Sequence, residues 1–162
     1  MPVVNYTNNH NTALTEFVAS HSSPNSEIYD LCFSTFQGVL GQPGLDATEN
    51  CFVLEHAGVV KGVALVFREF AISRSVIEVM TDPEQAGSLD ELELVQRAVA
   101  RAEAEGLGVA HICVLPESGR GELLEQVGFS QVRTYLDMLC VQDELPDLEL
   151  PQGYSVRSFQ PG

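Results

Sequence analysis

The sequence predicts an α/β (α+β) domain with a mixed, mostly antiparallel central sheet and about four flanking helices. The first observation behind this prediction is a hairpin signal, two apolar runs at residues 51–56 and 59–67 joined through Ala57-Gly58. The second is a change to helical spacing of the apolar residues from Leu89 onwards. The third is the order of elements, which reads strand, two helices, three strands, helix, strand, helix and strand.

The first part of the chain predicts one short strand and two helices. Residues 2–6 can form the strand, and Asn11 or Thr12 can cap the first helix. The second helix begins at Ser23-Pro24, because a capping residue followed by proline at the first helical position is a typical helix start. Each helix has one apolar face, formed by Leu14, Phe17, Val18 and His21 in the first and by Ile28, Leu31, Cys32, Phe36 and Val39 in the second.

Three strands follow in the middle of the chain. Residues 51–56 and 59–67 form the hairpin, and the second of these runs is almost continuously apolar, as expected for a strand covered on both faces. Residues 71–81 are rich in Val and Ile and predict the third strand. The short connections favour antiparallel pairing of these three neighbours.

The last elements are a long helix, a short strand, a second helix and a long strand. The long helix ends at Gly106, and residues 109–115 predict a buried strand. Ser118 can cap the next helix, and residues 129–141 predict the final strand. The apolar positions of the two helices are Leu92, Val95, Val99 and Ala102 in the first and Leu123, Leu124 and Val127 in the second.

The chain divides by composition into three regions. Residues 1–141 predict one domain, and residues 142–152 are an acidic, proline-containing linker. Residues 153–162 begin an alternating, strand-like segment that then runs out. We therefore interpret this last region as the truncated start of a second module.

The charge excludes several classes of partner. Eight basic residues against 23 acidic ones give a net charge of −15 in a chain of 162 residues. Such a field repels nucleic acid and anionic membrane surfaces and favours cationic or amine-bearing partners. No secretion signal, membrane span or metal-ligand spacing is visible, which predicts a reduced, cytoplasmic protein. The cysteines lie among apolar neighbours and are predicted to be buried: Cys32, Cys51, Cys113 and Cys140.

Four local signatures in this order resemble the GNAT superfamily of acyl-CoA-dependent N-acyltransferases over residues 2–141. They are the hairpin from Phe52 to Phe67, the strand that ends in Val79-Met-Thr-Asp-Pro-Glu, the long helix after it, and residues 117–129, which end in Gly128-Phe129. The segment Leu-Pro-Gln-Gly-Tyr-Ser-Val-Arg at residues 150–157 also resembles the opening of a second such domain. The resemblance therefore implies the N-terminal half of a tandem acetyltransferase.

The resemblance implies acetyl-CoA as the cofactor, with its pyrophosphate on the turn before the long helix. In the family motif Gln/Arg-x-x-Gly-x-Gly/Ala, Gln85 takes the first position, Ser88 the first glycine and Asp90 the last small position. Asp90 departs from the motif, and with Glu91 it places negative charge where the phosphates would bind. The residues implied to contact the cofactor are Val79, Met80, Thr81, Gln85, Ala86, Gly87, Ser88 and Leu89.

The implied catalytic residue is Glu78, a general base on the strand that leads into the turn. A carboxylate exposed to solvent or paired with Arg74 is the alternative interpretation of this residue. The position of the tyrosine that protonates the CoA thiolate in many family members is Leu124, and that of a frequent asparagine is Glu117. His111 lies within an apolar run and is predicted to be a hydrogen-bonded core residue.

Three functions remain open at this stage. The domain is a degenerate acetyltransferase half followed by a catalytic GNAT domain, or a working enzyme that acetylates a small-molecule or peptide amine. The third alternative is a non-catalytic module that supports the next domain or binds a protein partner. The sequence also leaves a homodimer open.

Overall fold

The computed structural model describes residues 2–21, 36–42, 45–115, 118–135 and 150–157. The chain forms two compact units, residues 1–130 and 131–162. All the described helices and strands lie in the first unit: β1 (Val3–Asn5), α1 (Asn11–His21), α2 (Phe36–Leu40), α3 (Ala47–Asn50), β2 (Cys51–His56), β3 (Val59–Glu69), β4 (Arg74–Thr81), α4 (Leu89–Ala104), β5 (Val109–Ile112) and α5 (Gly121–Gln126).

The strands form one five-stranded sheet in the order β1-β2-β3-β4-β5. The first three pairings are antiparallel, and β5 joins β4 in parallel. This confirms the predicted mixed, mostly antiparallel sheet. The parallel pairing follows from the chain path, because α4 crosses over between β4 and β5.

The predicted hairpin between β2 and β3 is confirmed, with His56 opposite Val59. The two connecting residues, Ala57 and Gly58, both have positive φ, at 51° and 80°. This is the type I′ geometry that matches the twist of the two flanking strands. The continuous apolar run of β3 is also explained, because its residues are buried from position 62 to position 66 on both faces of the sheet.

The sheet separates two apolar layers. Val63 and Leu65 of β3 face the layer that contains α1 and α2, whereas Ala64 and Val66 face α4. The helix residues in these layers include Leu14, Phe17, Val18, Phe36 and Val39 on the first side and Leu94, Ala98 and Ala102 on the second. The sheet is therefore the middle layer of the domain.

Two predicted helix caps are wrong. Asn11 and Thr12 are the first two residues of α1 and do not cap it, because a short 3₁₀ turn at Asn8–His10, capped by Thr7, leads directly into the helix. Ser118 does not cap α5, which begins at Gly121 with Arg120 as its first flanking residue. The Ser118 hydroxyl instead donates to the Leu115 carbonyl oxygen at 2.6 Å and stabilises the loop before the helix.

The predicted strands near the C-terminus are longer than the observed ones. β5 ends at Ile112, and residues 129–135 form no strand. The remainder of the predicted final strand, residues 136–141, lies outside the described residues, as does most of the predicted second helix, residues 22–35. Within the described part of the chain, no helix combines the length and apolarity that crossing a membrane requires.

The cysteine prediction is confirmed at one position and wrong at another. Cys51 is fully buried in β2, and burial raises the pKa of its thiol to about 12. Cys113 is exposed, because it follows the last residue of β5 and leaves the covered part of the sheet. Cys32 and Cys140 lie outside the described residues.

Candidate functional site

The candidate site is the junction between β4 and α4. Asp82 follows the strand and caps a 3₁₀ turn at Pro83–Gln85, where its side chain accepts a hydrogen bond from the Glu84 N–H at 3.1 Å. The Lys61 ammonium group also donates to the Asp82 carboxylate, at 3.0 Å. The hydrogen bonds and the ion pair fix the turn against the start of β3.

The helix start has its own cap. Gly87 takes a positive φ of 74°, a conformation that glycine adopts without strain, and Ser88 follows as the N-cap of α4. The Ser88 hydroxyl accepts a hydrogen bond from the Glu91 N–H at 3.1 Å. The normal capping requirement of α4 is therefore met by Ser88.

The backbone N–H groups of this turn have acceptors within the protein. The Ala86 N–H donates to the Pro83 carbonyl oxygen at 3.3 Å, and the Ser88 N–H donates to the Gln85 carbonyl oxygen at 3.0 Å. The Gly87 N–H donates to the Glu91 carboxylate at 2.6 Å. A phosphate at this turn would therefore have to displace existing hydrogen bonds.

Glu91 is the central residue of the junction and has no exposed surface. Besides the Gly87 N–H, its carboxylate accepts hydrogen bonds from the Thr81 hydroxyl at 2.8 Å and from Arg120 Nε at 2.7 Å. A buried carboxylate needs such partners, because taking an isolated charge out of water costs several kcal/mol. Asp90, the residue that departs from the family motif, is only partly buried.

Arg120 completes the cluster from a different part of the chain. It lies in the loop before α5, where its Nη2 donates to the Thr81 hydroxyl oxygen at 2.7 Å while Nε donates to Glu91. Its side chain keeps 21% of its surface exposed. No role was assigned to this residue from the sequence.

The signal that could have revealed Arg120 is weak. It is one of eight basic residues in a strongly acidic chain, and it stands between two glycines. Its partner Glu91 is 29 positions away along the sequence. No local pattern links two residues at that separation, and Glu91 alone has an ordinary interpretation as an acidic residue at a helix start.

Glu78 lies on the other face of the sheet from the Thr81–Glu91–Arg120 cluster. Side chains alternate along β4, so Glu78 lies on the face of Met80, whereas Val79 and Thr81 face α4. Glu78 is half-buried, and burial raises the pKa of its carboxyl group. The residues implied to bind the cofactor are thus divided between the two faces at this end of the strand.

The alternative interpretation of Glu78 as a partner of Arg74 does not match the geometry. Four residues separate them on one strand, which places their Cα atoms about 13 Å apart. Arg74 instead donates to the Glu69 carboxylate on the neighbouring strand. His111 is half-buried in β5, beside Val76 in the parallel ladder.

The pairing of β4 with β5 stops before β4 ends. The last pair in this ladder is Ile77 with Ile112, and β4 continues for four residues to Thr81. Residues 78–81 are the part of β4 that contains Glu78 and leads to the turn. An extended ligand can pair with the backbone of a strand where the neighbouring strand has ended, because main-chain hydrogen bonds do not depend on side-chain identity.

The resemblance connects two further positions with catalysis, and the structure describes one of them. Leu124 is buried in α5 and packs with Leu123 against Val95 of α4, so it is a core residue. Glu117 lies outside the described residues. Within the ranges that the structure describes, no group of three His, Cys, Asp or Glu side chains is placed to hold a metal ion.

Comparisons with known proteins identify the fold. No family model and no curated protein matches the sequence. A putative acetyltransferase from Agrobacterium tumefaciens is similar in structure, with a TM-score of 0.60 and 18% identity, over 86% of this chain and 99% of that chain. An acetyltransferase from Trypanosoma brucei gives a TM-score of 0.62 and 14% identity, over 86% and 99%.

A third similar structure was solved with a ligand. It is AAC(6′)-Iy in complex with the bisubstrate analogue CoA-S-monomethyl-acetylneamine, with a TM-score of 0.61 and 12% identity over 85% of this chain and 96% of that chain. At these identities the likeness establishes the fold. The chain therefore has the GNAT acyltransferase fold, as the resemblance of its sequence predicts.

Proposed function

We propose that this domain is a GNAT-type acyltransferase domain whose coenzyme turn is degenerate, so that this half does not bind acetyl-CoA tightly. The observation that supports the proposal is the hydrogen bond from the Gly87 N–H to the buried Glu91 carboxylate. A carboxylate of this chain takes a backbone donor that a pyrophosphate would use. The implied contacts at Gln85, Ala86 and Ser88 are likewise engaged within the turn.

The magnitude of the conflict follows from charge repulsion. Two unit charges about 4 Å apart near a protein surface repel by about 4 kcal/mol, and this is an upper limit for Glu91, whose charge Arg120 partly compensates. A penalty of about 4 kcal/mol is about half of the binding free energy of a micromolar complex, so a micromolar Kd would weaken to at most roughly millimolar. Asp90, at the next position towards the turn, adds negative charge at the same helix start.

Isothermal titration with acetyl-CoA tests this proposal on the 162-residue protein. We expect no saturable heat at micromolar concentrations. A micromolar Kd for the wild type would overturn the proposal and favour a working enzyme. The same titration with desulfo-CoA, which retains the pyrophosphate, separates binding through the phosphates from binding through the acyl group.

The proposed domain organisation follows the same reasoning. Residues 142–152 would link this domain to a following GNAT domain that begins at residues 153–162 and carries out catalysis. A Gln/Arg-x-x-Gly-x-Gly turn about 70 to 100 residues beyond Gly162 in the natural gene would support it. A continuation with no such turn would instead favour the non-catalytic module that supports a neighbour or binds a partner.

The second candidate function is a working N-acetyltransferase with Glu78 as the general base. The observation that favours it is the half-buried Glu78 carboxyl, whose raised pKa moves it towards the range in which a base is effective near neutral pH. Its acceptor would be a small-molecule or peptide amine. Acetyl transfer to a panel of polyamines, amino sugars and peptides tests it, and activity that Glu78→Gln abolishes would support it.

A further inference from the structure

The Glu91 carboxylate accepts hydrogen bonds that helix capping does not require. In a capping box the N3 carboxylate accepts the N-cap N–H, but here the Ser88 N–H donates to the Gln85 carbonyl oxygen. The Ser88 hydroxyl already caps the helix. The Glu91 side chain is therefore free to make a different set of contacts, and these contacts involve three other elements.

The donors around this carboxylate come from positions that are distant in sequence. Thr81 is the last residue of β4, Gly87 belongs to the turn, and Arg120 precedes α5. All three donate to Glu91 oxygens, at distances between 2.6 and 2.8 Å. The Thr81 hydroxyl both donates to Glu91 and accepts from Arg120, which fixes the orientation of its proton.

This arrangement matches the coordination of a bound oxyanion. A bound carboxylate or phosphate in a protein is held by backbone N–H groups, hydroxyls and an arginine, with charge-assisted hydrogen bonds that are short. Here the anion is a side chain of the same chain. The positive charge of Arg120 compensates it, since a buried carboxylate without a cation would be strongly unfavourable.

We propose that the Gly87 N–H, the Thr81 hydroxyl and the Arg120 guanidinium form an anion site that the chain fills with its own Glu91 carboxylate. Removal of this carboxylate converts the cluster into a site for a small free carboxylate. The inference rests on the proposed function only in that acetyl-CoA does not occupy the turn. The residue that this inference adds is Arg120, a cation that belongs to neither the turn nor α4.

The test is rescue of a truncated side chain by formate. Glu91→Ala removes the carboxylate and leaves the three donors, and its thermal unfolding is measured in sodium formate and in sodium chloride at equal ionic strength. We expect formate to raise Tm by about 3 °C or more relative to chloride once it exceeds its Kd about tenfold. The wild type is expected to show no difference between the two salts.

Three controls separate the anion site from general salt effects. Glu93→Ala removes an exposed carboxylate from the same helix and should respond like the wild type. Glu91→Gln fills the site with a neutral amide and should show no formate effect. Glu91→Ala with Arg120→Ala removes the cation and should also lose the effect, whereas equal stabilisation of this double variant would overturn the role of Arg120.

A second arm uses inorganic phosphate in place of formate. Stabilisation of Glu91→Ala by phosphate but not by formate would overturn the assignment to carboxylates. Stabilisation by neither anion, with the variant folded, would overturn the proposal altogether. Titration of the wild type with acetyl-CoA is a separate measurement, so the proposed function and this inference can fail independently.

A further measurement applies if Glu91→Ala does not fold. Glu91→Gln and Arg120→Met keep the approximate shapes of the side chains, and urea unfolding of both single variants and the double variant gives their coupling. We expect the coupling to change the unfolding equilibrium constant by roughly tenfold or more. Additive effects of the two substitutions would overturn the proposed pairing of anion and cation.

Discussion

Arg120→Ala provides the most direct test of the cluster between β4, α4 and α5. The substitution leaves the Glu91 carboxylate without a cation, although Glu91 has no exposed surface. Removal of one partner from a buried ion pair costs about 3–5 kcal/mol, because the remaining charge stays out of water. For a chain of this length this corresponds to a decrease in Tm of roughly 6–20 °C.

The measurement is urea unfolding followed by circular dichroism at neutral pH. The control is Arg97→Ala, which removes an arginine of α4 whose side chain contacts Asn5 and lies over the Phe52 ring. This control should cost about 1 kcal/mol or less. Adding Glu91→Gln to Arg120→Ala should recover part of the loss, because the uncompensated charge is removed.

The reasoning is refuted by a small effect. If Arg120→Ala costs less than about 1 kcal/mol, the buried Glu91 carboxylate does not depend on Arg120 for charge compensation. If Glu91→Gln lowers the stability of Arg120→Ala further, the loss comes from packing of the arginine stem and not from the charge.

Three other predictions concern the turn before α4, the packing of Gly62 in β3 against β4, and the candidate base Glu78. Asp90→Gly combined with Glu91→Ala should lower the Kd for CoA in isothermal titration, and no gain would mean that another part of the site excludes the cofactor. Gly62→Ala should cost about 1–3 kcal/mol in urea unfolding, because an added Cβ would lie 2.9 Å from a β4 methyl group, whereas at Gly121 it meets nothing within 4 Å. Burial raises the pKa of Glu78, so the folded state binds its proton more tightly and the wild type loses stability as the pH rises through that pKa. Glu78→Gln should therefore gain stability relative to the wild type as the pH rises from about 4, the usual pKa of a glutamate, through the raised pKa of Glu78, and parallel pH curves would contradict this.

The sheet could be predicted because its signals are local. Each signal occupies the same short stretch of chain as the structure it predicts. The signals are the Ala57-Gly58 turn, the apolar run of β3 and the helical spacing after Leu89. The same holds for the apolar face of α1. The face of α4 was predicted only in part, because Leu94 and Ala98 are buried there but were not among the predicted positions. The GNAT resemblance depended on the order of these local elements. Over the described residues the structure has that order up to α5, with the short helix α3 as an addition that was not predicted.

The candidate site could be predicted only in part. Position 91 was predicted to place negative charge in the turn, and the structure shows its carboxylate on the Gly87 N–H. Its partner Arg120 could not be found, because the contact depends on how the loop before α5 returns to the end of β4. The start of α5 was wrong for a related reason: Ser118 is a typical cap, but its hydroxyl bonds to the preceding loop.

Added salt should act differently on the acidic groups of the surface and on the enclosed ion pair at Glu91. Lys61, Arg68, Arg74, Arg101 and Arg120 each lie within ion-pair distance of a carboxylate. These are five of the eight basic residues in a chain of net charge −15, so most of the acidic groups have no basic residue to neutralise them. Added electrolyte should therefore relieve the mutual repulsion of the acidic surface while it scarcely weakens the enclosed pair at Glu91.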